Sequence, residues 1–266
     1  MSATTPPQPA GTSKASAWRV IAALVLREMA TTYGRSPGGY VWAILEPVAV
    51  IAVLSVGFSL LANTPPLGES FVLFYATGML TLQFYATNGT KIGQAIDFNR
   101  ALLKYPAVTW FDAVIARAAL STLTGVVVSS ILLTGIMAWA GYHGIPDIPI
   151  LAKAFAMCAV IGFGIGCLNA VLFSYFAIWR SVWSVLTRPL FIVSGVIFLY
   201  EDLPPEVQSI IWWNPIMHTV SLARQAFYPY YDASYVSEVY VWTVAGIACF
   251  LGLVFLRAHA VRVLDV

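Results

Sequence analysis

Charge is what this sequence lacks. Only 10% of its 266 residues are Asp, Glu, Lys or Arg, against 59% hydrophobic, and the mean hydropathy is +0.80. A soluble domain carries about 25% charged residues. This chain cannot cover its surface with charge, so lipid must be the solvent for much of it. The net charge of +2 leaves no footprint for nucleic acid. Cysteine and histidine are equally scarce, three of each. Cys158, Cys167 and Cys249 lie inside apolar runs, without metal spacing or a disulfide framework, and read as small buried thiols. His143, His218 and His259 are scattered, and no two stand at ligand spacing, so no metal site is expected. No G-x-x-x-x-G-K-[ST] occurs, so the chain carries no P-loop. None of the 12 carboxylates falls at the centre of an apolar run, which weighs against a stand-alone proton-coupled transporter.

What is present is a series of apolar runs. A spanning helix needs about 20 mostly apolar residues. Residues 40–62, 71–90, 118–140, 154–177 and 240–256 qualify or nearly so. Another run, 181–200, is interrupted by Arg188 and Pro189 and reads as a broken or partly cytoplasmic helix. Six spans are expected. With the N-terminus placed in the cytoplasm, 12 of the 14 Lys and Arg residues fall inside, leaving only Lys153 and Arg224 outside. That is a strong positive-inside bias and puts both termini in the cytoplasm. "GFGIG" at 162–166 lies inside a span, where Gly162 and Gly166 suit close helix packing better than a phosphate.

The N-terminus divides in two. Residues 1–13 have no apolar periodicity and read as a disordered tail. Residues 14–36 hold a seven-residue apolar core between Arg19 and Arg27, too short to span and without a small-residue cleavage site. An interfacial helix on the cytoplasmic surface fits. "SPGG" at 36–39 then turns the chain into the first span. Glu46 near that span's inner end is placed to pair with Arg27 or Arg35, and Asn88, Gln83 and Asn169 to hydrogen-bond between helices.

Two polar segments interrupt the apolar pattern. In "DFNRALLKYPAVTWFD" (97–112), Phe98, Ala101, Leu102 and Tyr105 share one helical face, Asp97 is a fair N-cap and Pro106 disfavours helix at Tyr105. The expectation is a helix of about two turns over 97–106 in a cytoplasmic loop. An ordinary basic loop and a docking helix are both open at this point. The second segment, 201–235, is too long and too apolar for a simple outer loop. Pro204, Pro205 and Pro215 divide it into helical pieces at 206–213 and about 216–228.

"NRALLKYPAV", "RPLFIVSGVIF" (188–198), "LPPEVQ" (203–208) and "WNPIMHTVSLARQAF" (213–227) together resemble the inner-membrane permease of type-2 ABC exporters, in the capsular polysaccharide export branch. The resemblance runs from about residue 18 to the C-terminus. It departs from the family where an acidic residue is often found after the His of the "NP…H" motif, since Ser221 and Gln225 stand nearby here. What it implies is an all-α membrane protein of six transmembrane helices, with an N-terminal interfacial helix, a coupling helix at 97–106 and periplasmic re-entrant helices within 201–235, the transmembrane domain being 37–266. It implies a homodimer in the bacterial inner membrane, bound to two ABC ATPase subunits that hold ATP and Mg, and a permease with no catalytic residues of its own. The cargo it implies is lipid-linked capsular polysaccharide, with periplasmic and outer-membrane export proteins as further partners. O-antigen, teichoic acid or a small-molecule drug are the alternative cargoes.

On that footing Phe98, Asn99, Arg100, Leu102, Leu103, Lys104, Tyr105 and Pro106 are the expected ATPase-docking residues. Arg27 and Arg35 are placed to receive an anionic lipid head. Trp179, Trp183 and Phe191 surround the inner end of the broken helix, and Tyr200, Trp212 and Trp213 its outer end. Flat rings with a polar edge suit a sugar face, so these six are the expected canal and gate residues. Tyr240 and Trp242 fit an interfacial aromatic belt.

Overall fold

The computed structural model describes residues 17–32, 39–105 and 107–265. Among them every regular element is helical. In chain order these are α1 (Ala17–Thr32), α2 (Gly39–Ser59), α3 (Phe71–Gly93), α4 (Ala95–Asn99), α5 (Trp110–Trp139), α6 (Ile148–Tyr175), α7 (Trp179–Val193), a single 3-10 turn (Tyr200–Asp202), α8 (Pro205–Ile211), α9 (Pro215–Phe227) and α10 (Glu238–Asp265). The expected tail at 1–13 and most of the expected turn at 36–39 lie outside the described residues, as do Arg35 and Pro106.

Among the described residues four helices are long and apolar enough to cross a membrane: α2, α5, α6 and α10. α3 reaches a similar length, about 34 Å at 1.5 Å per residue. Its sequence is more polar, and it occupies the middle of the bundle, packed against α2, α5, α6 and α9. Its Thr77, Thr81 and Asn88 are buried, and the hydroxyls of Ser121 (2.6 Å) and Thr122 (3.4 Å) on α5 donate to Asn88 Oδ1.

Glycines set how closely the central helices approach. A Cβ on Gly162 would stand 2.8 Å from Asn88 Cβ, and one on Gly166 would stand 2.6 Å from Ile92 Cβ, so these two seat α6 against α3. A Cβ on Gly164, on the opposite face, would stand 2.5 Å from the α10 backbone at Ala248, and one on Gly252 would stand 2.6 Å from Gly164 O. The G-x-x-x-G of the sequence is therefore a packing device on two faces at once.

Local chemistry fixes the helix ends. Thr109 and Asp112 form a reciprocal capping box at the start of α5. Asp147 caps α6 by accepting from Ile150 N–H at 3.0 Å, with Pro149 in the first turn. α7 shows a difference from the sequence expectation. It continues through Arg188 and Pro189 to Val193 and breaks at Gly195, whose φ of +71° ends the helix in the left-handed conformation that glycine adopts without strain. The expected pieces at 206–213 and 216–228 correspond to α8 and α9, each opened by proline.

Candidate functional site

Three arrangements stand along the bundle. The first is the corner around α4, where side chains of α1, α5 and α7 meet it. The helix lies earlier than the sequence suggested, starting at Ala95 and giving way at Asn99 to turns (Leu102 N–H to Asn99 O, 2.9 Å; Tyr105 N–H to Leu102 O, 3.0 Å). Asn99 Nδ2 donates back to Ala95 O at 3.1 Å, a local bond that competes with helix continuation. Asp97 is not the cap. It sits within the helix, and Arg180 at the start of α7 pairs with it.

The expected docking residues divide by face. Asn99 and Leu103 are buried, and Leu103 joins the core formed with Ile96, Val114 and Val171. Phe98 takes the Arg117 guanidinium over its ring at 4.3 Å and Arg27 at 5.9 Å. Leu102 is half-buried, and Arg100, Lys104 and Tyr105 face outward. Arg27 Nη1 donates to Asn99 Oδ1 at 3.1 Å, so this α1 arginine is tied to α4 rather than to Glu46. The neighbouring Glu28 is buried and pairs with Arg117 of α5 at 3.1 Å. Burial pushes the Glu28 carboxyl above its ordinary range, while the Arg117 charge pulls it back down. The sequence reading missed this pair, although Glu28 stands three and four residues from Val25 and Leu24 on one helical face of α1.

The second arrangement is a cavity of about 530 Å³ between α2, α3 and α7, open on one side. Glu46, Gln83, Thr87, Lys91, Arg188 and Phe191 line it. Trp183 Nε1 donates to Thr90 Oγ1 at 2.9 Å, which fixes α7 against this wall. Trp179 Nε1 donates to Asn169 Oδ1 at 3.1 Å. Charged groups of both signs, hydroxyls and one aromatic face make a surface that a hydrated, polar chain can wet. Of the expected inner canal residues, Phe191 lines the cavity, Trp183 bonds to Thr90 of its wall, and Trp179 bonds instead to Asn169 of α6.

The third arrangement is an aromatic cluster where α8, α9 and the start of α10 meet. Trp212 stands edge-on to His218 (5.3 Å between ring centres) and close to Tyr240 (4.9 Å), and its Nε1 donates to Tyr235 O at 3.2 Å. Tyr200 stacks on Tyr235 at 3.8 Å. Trp213 is 67% exposed, and its carbonyl accepts from the Tyr240 hydroxyl at 2.6 Å. His218 is buried with both ring nitrogens engaged. Ser237 N–H donates to Nδ1 (3.3 Å), so the proton sits on Nε2 and points at Trp212 O (2.7 Å). The residues expected at the outer end of a canal thus fall into two kinds, Trp212 and Tyr200 in the packed cluster and Trp213 exposed on its surface.

Residues 19–228 match the ABC-2 type transporter family. Polysialic acid transport protein KpsM of Escherichia coli is 30% identical over 239 residues, covering 90% of this chain and 93% of that protein. Capsule polysaccharide export inner-membrane protein BexB of Haemophilus influenzae is 25% identical over 211 residues, 79% of each chain. Capsule polysaccharide export inner-membrane protein CtrC of Neisseria meningitidis serogroup A is 26% identical over 238 residues, 88% of this chain and 89% of that one.

Proposed function

The chain belongs to the ABC-2 type transporter family, and from that premise we propose that it is the membrane-spanning subunit of an ATP-driven exporter that moves a lipid-linked capsular polysaccharide from the cytoplasm to the periplasm. Two of the relatives are named for capsule polysaccharide export and a third for polysialic acid transport, and the match to each runs over most of both chains. In this reading α3 and α7 join the four apolar helices to make six spans or part-spans, with both termini in the cytoplasm of a bacterial inner membrane. α8 and α9 are the re-entrant pair at the outer face. Two copies of the chain enclose a canal, lined at its inner end by the cavity with Lys91, Arg188 and Phe191 and closed at its outer end near Trp212 and Trp213. Two partner ATPase subunits bind ATP and Mg and perform the hydrolysis, and periplasmic and outer-membrane proteins take over the released polymer. Arg27 receives the lipid head in the interface, together with Arg35.

The observation that carries the reading is the corner around α4. A five-residue helix is anchored from inside by Asn99 and Leu103, held by two arginines through Phe98, and left with Arg100, Lys104 and Tyr105 facing outward. A rigid, interior-anchored knuckle with an outward cationic and aromatic face suits a push-rod contact. Reversing both outward charges, Arg100→Glu with Lys104→Glu, spares the interior anchors. The expected result is a permease that inserts normally and no longer co-purifies with its ATPase. Intact co-purification with normal export would overturn the proposal.

A further inference from the structure

Arg224 is the largest fully buried side chain among the described residues, at 0% exposure. The positive-inside count placed it outside, near water. Instead its Nη1 donates to Phe198 O at 3.1 Å and its Nη2 to Val196 O at 2.9 Å, and its guanidinium lies 4.0 Å over the Phe74 ring of α3. No carboxylate stands within ion-pair distance of it among the described residues. Gly78 makes the room, since a Cβ there would stand 3.0 Å from Nη2 and 3.2 Å from Val196 Cα.

The two acceptors explain the arrangement. Residues 194–199 are the non-helical exit of α7, beginning at the Gly195 break, and Ser194 and Val196 are fully buried. Carbonyls in that position have lost their helical partners. Non-helical backbone within a membrane protein must find its hydrogen bonds inside the protein. Arginine alone offers a planar fork that reaches two such oxygens and keeps its charge while buried. At the other end of α9, Asn214 repeats the contact. Its Nδ2 donates to Ser194 Oγ at 3.0 Å and Val193 O at 3.3 Å, while its Oδ1 caps α9 by accepting from Ile216 N–H at 3.1 Å. Two side chains ten residues apart, about 15 Å along the helix, therefore fasten α9 to the exit of α7.

We propose that Arg224 is a positioning residue, with Asn214 as its second rivet, that makes α7 and the α8–α9 pair one mechanical body. A shift of α7, whose inner end is bound to α4 through Arg180 and Asp97, is then delivered to the outer end of the canal. The inference rests on the reading of α8 and α9 as the outer closure.

The test uses the reconstituted permease with its ATPase. Arg224→Lys keeps the charge but loses the fork, and Asn214→Asp keeps the α9 cap but loses the donor to Val193 and Ser194. Each variant is measured for export per ATP hydrolysed and for passive ion leak. General destabilisation lowers hydrolysis and export together and leaves their ratio unchanged. Loss of the rivet lowers the ratio, by about tenfold or more for Arg224→Lys, whose bonds involve a charged group, and by about threefold or more for the neutral bonds of Asn214, and raises leak. If Arg224→Lys does not assemble, Asn214→Asp decides alone. A ratio within about twofold of the unaltered complex, with unchanged leak, overturns the proposal, since the lost bond would then be worth less than half a kcal/mol. Trp213→Ala, measured in parallel, separates the two levels. Leak in Trp213→Ala with both rivets silent removes the rivet and keeps the outer closure, whereas silence in all three removes both.

Discussion

The buried pair of Glu28 and Arg117 makes an asymmetric prediction. Both groups are more than nine-tenths buried and stand 3.1 Å apart. Breaking a buried pair costs about 3–5 kcal/mol, because the survivor loses its countercharge. The survivors differ here. Arg117 cannot shed its proton, so Glu28→Gln leaves a permanent buried cation. The Phe98 ring at 4.3 Å returns up to about 2 kcal/mol of that loss. A net cost of roughly 2–4 kcal/mol remains. Arg117→Gln leaves Glu28, which escapes by taking up a proton. Burial already raises its folded-state pKa above the ordinary 4.5, and removing the arginine charge raises it further. For a carboxyl raised on folding, the native state binds the extra proton, so stability falls as pH climbs from the unfolded value through the folded one and is recovered below it. The recovery is at most about 1.4 kcal/mol per pH unit. At about 2–4 °C per kcal/mol for a chain of this size, Glu28→Gln should lower the midpoint of thermal unfolding by roughly 5–15 °C at both pH 5 and pH 8. Arg117→Gln should lose more at pH 8 than at pH 5. A fluorescence melt of the purified permease at the two pH values reads both. Equal losses for Arg117→Gln at pH 5 and 8, or a loss for Glu28→Gln that grows from pH 5 to pH 8, would refute the reasoning, since the unaltered Glu28 is itself raised and makes the Gln variant's loss the smaller at pH 8.

Two further outcomes follow from the packing. Trp212→Ala removes a ring packed against His218 and Tyr240 and should cost about 3–5 kcal/mol, read as lower yield and melting temperature. Trp213→Ala removes an exposed ring and should leave stability within about 0.5 kcal/mol, with any defect appearing in ion leak or stalled export. Gly164→Val drives a side chain into the α10 backbone 2.5 Å away and should abolish a monodisperse permease on size exclusion, whereas Gly57→Ala, with nothing within 4 Å, should elute unchanged.

The sequence by itself determined the solvent, the class of element and much of the punctuation. Low charge with long apolar runs demands lipid. With lipid as solvent the backbone must satisfy itself, so helices are the expected outcome. Proline and glycine act locally, which is why the bounds of α8 and α9 could be read directly and why Gly162 and Gly166 read as packing residues. The outward residues Arg100, Lys104 and Tyr105 were legible for the same reason, since Pro106 and the charge pattern mark the loop.

Only the tertiary structure decided where the polar side chains are used. Leu103 was expected among the docking residues, but the turns after Asn99 send it into the core beside Val114 and Val171. Arg188 and Pro189 look like the break in α7, yet the helix tolerates them, and the chain leaves it at Gly195, where Asn214 and Arg224 wait to receive the freed backbone groups. Glu28 and Arg224 were invisible as structural groups because their partners lie 26 to 89 positions away in the chain, at Arg117, Val196 and Phe198, and His218 needs Ser237, 19 positions on, as well as the nearby Trp212. Periodicity reports which face of a helix is apolar. It carries no information on which distant carbonyl, ring or carboxylate that face will meet, because burial of a charge is tolerable only once the whole bundle has brought its partners to it.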